Sequence, residues 1–176
     1  MDCLVLDIGC GDKPRGHVNL DLYTFESPHL RARGRRINPR QSQNFLTADA
    51  QHLPFRAKVF TDIYASHVLE HLPNPLQALQ EWSRVAYRQI HIEIPNLKTI
   101  RHENPTHLYT WSRDSLFNLL QFACPDAAIR VDSRAPPRVS HHLPLRRTLN
   151  IILTRLFNPA LLQATLTFVP LSHAQL

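Results

Sequence analysis

The chain opens on Cys3-Leu4-Val5-Leu6-Asp7-Ile8, an apolar run that stops at once at Gly9 and Gly11. A short apolar run ended by glycine predicts a buried parallel strand that delivers the chain into a tight turn. Val18-Asn19-Leu20-Asp21-Leu22 predicts a second strand, Phe45-Leu46-Thr47 a third, and Phe60 to Ser66, rich in β-formers, a fourth. Asn74-Pro75 offers an N-cap followed by proline in the first turn, and Leu76, Leu79, Ser83 and Ala86 then share one face of a helix of about three turns. Gln89 to Ile94 alternates polar with apolar residues and reads as a fifth strand, stopped by Pro95. Ser112 caps a further helix carrying Leu116, Leu119 and Leu120. The remaining strands are Ala128 to Val131 and Leu166 to Val169, with an amphipathic helix around Leu149 to Phe157 between them. Strands alternating with helices predict an open α/β sheet rather than an all-α or all-β domain.

Chemistry concentrates at the ends of these strands. Leu6-Asp7-Ile8-Gly9-Cys10-Gly11 brings a carboxylate and two glycines to one corner, and glycine suits a place where a ligand approaches the backbone, because a Cβ would occupy that space. Asn19-Leu20-Asp21 ends the second strand, Asp49-Ala50 follows the third, and Ser66-His67-Val68-Leu69-Glu70-His71-Leu72 follows the fourth. In an open α/β sheet such strand ends converge on a single crevice.

The ordered segments LDIGCG, NLD, ADAQHLPF and SHVLEHLPNP resemble the class I S-adenosylmethionine-dependent methyltransferases, in particular a small type-11-like group sharing the LDIGCG turn and the LEHL segment; the resemblance covers residues 3 to 123. It implies a Rossmann-like, mostly parallel sheet with helices on both faces and an antiparallel final strand. It also implies S-adenosylmethionine as cofactor, with Asp7, Gly9 and Gly11 around the methionine moiety, Asp21 on the ribose hydroxyls, Asp49 on the adenine amino group, the backbone of Ala50 or Gln51 on the ring, and Ser66 and His67 beside the methionine and the sulfonium. Two family features are missing. Only nine residues separate Gly11 from Asp21, whereas a parallel crossover ordinarily needs about a dozen, so the first crossover helix is shortened or absent. With the first strand opening at the third residue, the helix that usually precedes it is not expected either. The consequence expected is a more open cofactor pocket, or one covered by a partner chain.

On the acceptor side, His67 and the stretch from Arg101 to Trp111 follow the fourth and fifth strands. His67, His102 and His107 are the candidate proton acceptors, as they sit where an acceptor would meet the methyl group. His102 and His107 are five apart, not in His-x-x-x-His spacing, and no metal is expected there. A Pro-Cys nucleophile is lacking, since Cys124-Pro125 has the reverse order, so covalent attack on a pyrimidine is excluded.

Composition alters this picture at its margins. With 176 residues, 43% of them hydrophobic, the chain suits one domain over 1–176, in which 134–163 reads as an insertion or lid because its Pro, His and Arg pairs do not suit a buried crossover. The three cysteines, Cys3, Cys10 and Cys124, make neither a disulfide framework nor a zinc spacing, and no apolar run reaches the ~20 residues of a membrane span, so a cytoplasmic protein without membrane contact is expected. The charge of +6 is carried almost wholly by arginine, with five arginines between Arg31 and Arg40. That run, with Arg134, Arg138, Arg146 and Arg147, keeps an RNA-binding or RNA-modifying protein as an alternative to a methyltransferase acting on an unidentified, preferably small, acceptor. A catalytically silent cofactor-binding interaction protein is the third reading. A homodimer is consistent with all three.

Overall fold

A computed structural model of the chain describes residues 3–25, 37–39, 44–96, 105–134 and 161–168. Its strands are β1 (Val5–Ile8), β2 (Val18–Asp21), β3 (Phe45–Thr47), β4 (Phe60–Ser66), β5 (Ala86–Pro95), β6 (Ala127–Arg134) and β7 (Leu161–Phe168). The α-helices among the described residues are α1 (Pro75–Val85) and α2 (Arg113–Ala123), and a 3-10 turn covers Leu69–His71. The seven strands form one sheet in the order β3-β2-β1-β4-β5-β7-β6. The first five strands run parallel, while β7 is antiparallel to both neighbours. This is the Rossmann-like, mostly parallel sheet that the motifs imply.

Strand register sorts the side chains into two unlike faces. Leu20, Ile8, Ala65, Ile92, Ala164 and Val131 stand side by side across six strands, and Leu6, Ile63, Ile90 and Leu166 form a second apolar row. These rows join Ala78, Leu79 and Trp82 of α1 and Leu116 and Leu120 of α2 in one core cluster. Between them, pointing to the opposite face, run Asn19, Asp7, Tyr64, His91, Thr165 and Arg130, followed by Ser66, Glu93, Gln163 and Asp132. Both described helices therefore lie on the apolar side. The Leu149 to Phe157 helix expected from the sequence lies outside the described residues, as do 135–160 as a whole.

Both helix caps form as expected. Asn74 Oδ1 accepts from Gln77 N at 3.1 Å, and Ser112 makes a capping box with Ser115. The core stripe of α1 differs from the expected one: Pro75, Ala78, Leu79, Trp82 and Val85 face inward, Leu76 and Ser83 lie at the margin, and Ala86 already opens β5. Trp82 decides this, since burying its indole outweighs burying a serine. The described strands also trim the expected insertion, because Arg134 and Leu161 to Gln163 are paired strand residues.

No crossover helix joins β1 to β2, which confirms that departure from the family pattern. Four-residue strands rise only ~13 Å, so residues 9–17 can return along the sheet as turns. The return is pinned by His17 N donating to Val5 O at 2.9 Å and Gly16 N to Asn19 Oδ1 at 2.9 Å. Among the described residues no helix is long and apolar enough to cross a membrane.

Candidate functional site

The corner after β1 is held by backbone rather than by side chains. Gly9 N and Cys10 N both donate to Leu20 O, at 2.7 and 3.1 Å, which forces a sharp turn at the sheet's carboxyl edge. Gly9 and Gly11 adopt φ of +66° and +56°, and a Cβ on Gly9 would overlap Val68 Cγ2 of the segment after β4. Glycine at position 9 is thus required twice, by dihedral and by space.

Two carboxylates flank this corner. Asp21, buried at the end of β2, accepts from Gly11 N at 2.9 Å and from Tyr23 N at 3.1 Å. Asp7, on the polar face of β1, accepts from Arg15 N at 2.8 Å. Burial pushes the Asp7 carboxyl up to about 6, with the neighbouring Asp21 charge adding to the rise and Arg15 opposing it. The Cys10 thiol is pushed up to about 12 by burial and by both aspartates, so it is no nucleophile.

The 49–55 segment is docked onto α1 through its backbone. Trp82 Nε1 donates to Ala50 O at 2.9 Å, Leu53 N donates to Glu81 Oε2 at 3.0 Å, and the Arg84 guanidinium donates to Leu53 O and Phe55 O at 3.1 and 2.8 Å. Asp49 makes the local turn, accepting from Gln51 N at 2.8 Å and meeting His52 Nδ1 at 3.3 Å. Desolvation works against its charge, yet these hydrogen bonds hold the carboxyl below its usual range. Trp82, Glu81 and Arg84 were not singled out from the sequence, and only the i, i+3 spacing of Glu81 and Arg84 on α1 could have signalled that pair.

At the ends of β4 and β5 a second polar group assembles on Glu93. Tyr64 Oη and Ser66 Oγ donate to Glu93 Oε2 at 2.6 and 3.0 Å, Gln163 Nε2 donates to Oε1, and Arg15 stacks 4.9 Å over the Tyr64 ring while donating to its hydroxyl. Burial raises the Glu93 pKa, but the donors from Tyr64, Gln163 and Ser66 outweigh it and keep the carboxylate charged. Ser66 is therefore tied to β5. No local pattern marks Arg15, Tyr64 and Glu93 as partners.

His67 follows with φ of +57°, a left-handed conformation unfavourable for any residue but glycine, and its N–H donates to Glu93 O at 2.8 Å. Its imidazole is half-exposed, and Nδ1 lies 3.2 Å from Oε1 of the fully buried Glu70. Leu108 N donates to Glu70 O at 2.8 Å, which brings the 105–109 segment over the 3-10 turn and stacks the His107 ring edge-on to His71 at 4.7 Å. Burial lowers the His107 pKa, with the Glu70 charge opposing and His71 and His67 assisting. So Asp7, Gly9, Gly11 and Asp21 meet at one corner, His67 and His107 meet at Glu70, and His102 lies outside the described residues, as do all five arginines between Arg31 and Arg40.

Comparison with known proteins bears on this arrangement. Residues 6–89 match the family described as a methyltransferase domain. A methyltransferase solved in complex with the Trm112 methyltransferase activator of Haloferax volcanii superposes with a TM-score of 0.64 at 17% identity, over 96% of this chain and 82% of that one. A SAM-dependent methyltransferase of Archaeoglobus fulgidus does so at 0.62 and 21% identity, over 94% and 86%. The plantazolicin methyltransferase BpumL, solved with SAH, gives 0.60 at 18% identity, over 94% and 76%. No curated protein sequence matches the chain. Residues 6–89 thus match a methyltransferase domain, and the chain shares the fold of solved S-adenosylmethionine-dependent methyltransferases over nearly its whole length.

Proposed function

We propose that S-adenosylmethionine lies across the corner of β1 and β2 and that its methyl group goes to a small acceptor, or to a flexible group on a larger one, entering past His67. The observation that carries this is the pair of buried carboxylates around a left-handed glycine corner, Asp21 clamping Gly11 N and Asp7 pushed up to about 6. A cationic ligand group favours the charged form of Asp7, as the methionine ammonium would. A carboxylate oxygen accepts more than one hydrogen bond, so Asp21 can hold Gly11 N and a ribose hydroxyl together. Asp49 and Ala50 then border the adenine, and Gly9 and Ser66 the methionine arm.

The cofactor supplies an activated methyl group; the chain's part is to align the acceptor and take its proton. His67 suits the second task best among the candidates, being half-exposed and backed by Glu70, while the His107 ring packs on His71. A cytoplasmic location and cover by a partner chain or a second copy complete the proposal. A partner is consistent with the activator bound to the Haloferax volcanii relative.

Titration calorimetry with S-adenosylmethionine tests the binding site. Asp21→Ala should weaken binding by roughly 10- to 150-fold, the equivalent of the ~1.5–3 kcal/mol of a charge-assisted hydrogen bond; Asp21→Asn, which can still accept from Gly11 N, should lose less. Unchanged affinity in a folded Asp21→Ala variant removes Asp21 from the site. With an acceptor found by methylation screening, His67→Ala should lower turnover far more than cofactor affinity; equal turnover passes the proton to water.

A further inference from the structure

We propose that Glu70, His71 and His107 form a binding site for one divalent transition-metal ion, with Zn2+ the species whose coordination they fit. One ligand atom from each residue lies within 4.8 Å of the others. Closing these to the ~3.3 Å edges of a tetrahedral site needs side-chain shifts of at most about 1.5 Å per pair. One carboxylate with two imidazoles is a ligand set that binds zinc and leaves a fourth position open.

A second observation points to the ion independently. The Glu70 side chain is about 1% exposed, and its Oε2 has no hydrogen-bond partner, whereas Oε1 meets His67 Nδ1 at 3.2 Å. A buried carboxylate oxygen without a partner is costly, and a cation is the ligand that removes the cost. The surrounding geometry is that of a prepared ligand shell. His71 Nδ1 lies 2.9 Å from Thr106 O, a carbonyl that can only accept, so Nδ1 carries the proton and Nε2 the lone pair. A backbone carbonyl holding the non-ligating nitrogen is the usual support of a metal-bound histidine. The bond from Leu108 N to Glu70 O fixes His107 above the turn through backbone alone, so the three residues are assembled before any ion arrives. An open fourth position beside His67 suits an oxygen of the acceptor, whose proton a divalent ion makes easier to remove.

The experiment uses the full chain stripped with chelator. Zn2+ titration by calorimetry should give one equivalent bound, and Co2+ in its place should give the visible absorption of tetrahedral coordination. Glu70→Gln and His107→Asn should each weaken Zn2+ by at least about 100-fold and abolish the Co2+ spectrum, with far-ultraviolet circular dichroism unchanged. Should Glu70→Gln fail to fold, His107→Asn, at a half-buried position, decides the matter. No Zn2+ bound by wild type, or equal binding by wild type and His107→Asn, overturns the proposal, the latter by placing the ion on other histidines or cysteines. S-adenosylmethionine binding to the stripped protein is measured in parallel, so loss of the metal site leaves the methyltransferase reading standing and loss of cofactor binding does not touch the metal.

Discussion

The two faces of the sheet are made by alternate residues of the same strands, yet they are covered by different things. On one face Ile8, Ala65, Ile92 and Ala164 meet the apolar stripes of α1 and α2. On the other, Asp7 and Tyr64 meet a short loop whose Arg15 donates its backbone to the first and its guanidinium to the second, while Tyr64 and Gln163 donate in turn to Glu93. A parallel strand buried between two helical layers reads as continuously apolar. Here the missing crossover helix and the polar alternation of β4, β5 and β7 belong together: a loop rich in N–H donors is matched by acceptors on the sheet beneath it. The apolar face supplies stability, and the polar face carries the charges that the crevice uses.

The sharpest way to break this comparison is to cut into the apolar face. Trp82→Ala removes a fully buried indole and leaves the Ala50 carbonyl without its donor. A loss of ~3–5 kcal/mol is expected from truncation of a large core aromatic, read as a lowered urea midpoint. Because Ala50 follows Asp49, cofactor affinity should fall as well, even where the variant is still folded. A loss below ~1 kcal/mol would mean that the helical layer is not the stabilising one.

On the polar face the sign reverses. The Asp7 carboxyl sits at about 6 in the folded protein against an ordinary 3.8. A raised pKa means that the folded state holds the proton more tightly, so stability falls as pH rises from about 4 through about 6, by ~3 kcal/mol in all. Asp7→Asn keeps an oxygen for Arg15 N and removes the charge. It should stabilise the chain by up to ~3 kcal/mol at pH 7 and by almost nothing below pH ~4, while weakening S-adenosylmethionine. Urea unfolding at both pH values checks this; a destabilised variant at pH 7 would show that the Asp7 charge is satisfied without a ligand.

How far these faces could be read in advance follows from which residues signal locally. The strands β1 to β4, both N-caps and the absence of the first crossover helix were legible, because apolar runs, Asn-Pro and the short Gly11 to Asp21 spacing are local features. The glycine corner was legible through the resemblance. The core stripe of α1 was not, since Leu76, Leu79, Ser83 and Ala86 fit helical spacing as well as the true stripe, and only the pocket for Trp82 distinguishes them. Nor was the start of β7, whose Leu161 to Thr165 pair with residues of β5 some seventy positions away. The Glu93 group has the same origin: Arg15, the β4 pair Tyr64 and Ser66, and Gln163 come from three separate segments, and no spacing announces a contact between them. Glu70 stood beside His67 and His71 in plain view, but its burial is a tertiary fact.

The mildest test concerns one hydroxyl on the polar face. Tyr64 Oη stands between Arg15 and Glu93, donating 2.6 Å to the carboxylate and accepting from the guanidinium. Burial and the Glu93 charge raise its own pKa, so the phenol stays a donor across neutral pH. Tyr64→Phe leaves the ring, and with it the stacking of Arg15, but removes both hydrogen bonds. Glu93 keeps Ser66 and Gln163, so the cost should be only ~1 kcal/mol at pH 7, the net worth of a part-buried hydrogen bond. The pH dependence separates this from lost packing. Glu93 has a depressed pKa, which makes it a source of stability above the carboxylate range and one that disappears as pH falls through its folded value. With one donor gone that contribution is smaller, so wild type and variant should converge in acid. A gap that stays constant from pH 7 down to pH ~3 would show that the hydrogen bond to Glu93 is not the source of the loss.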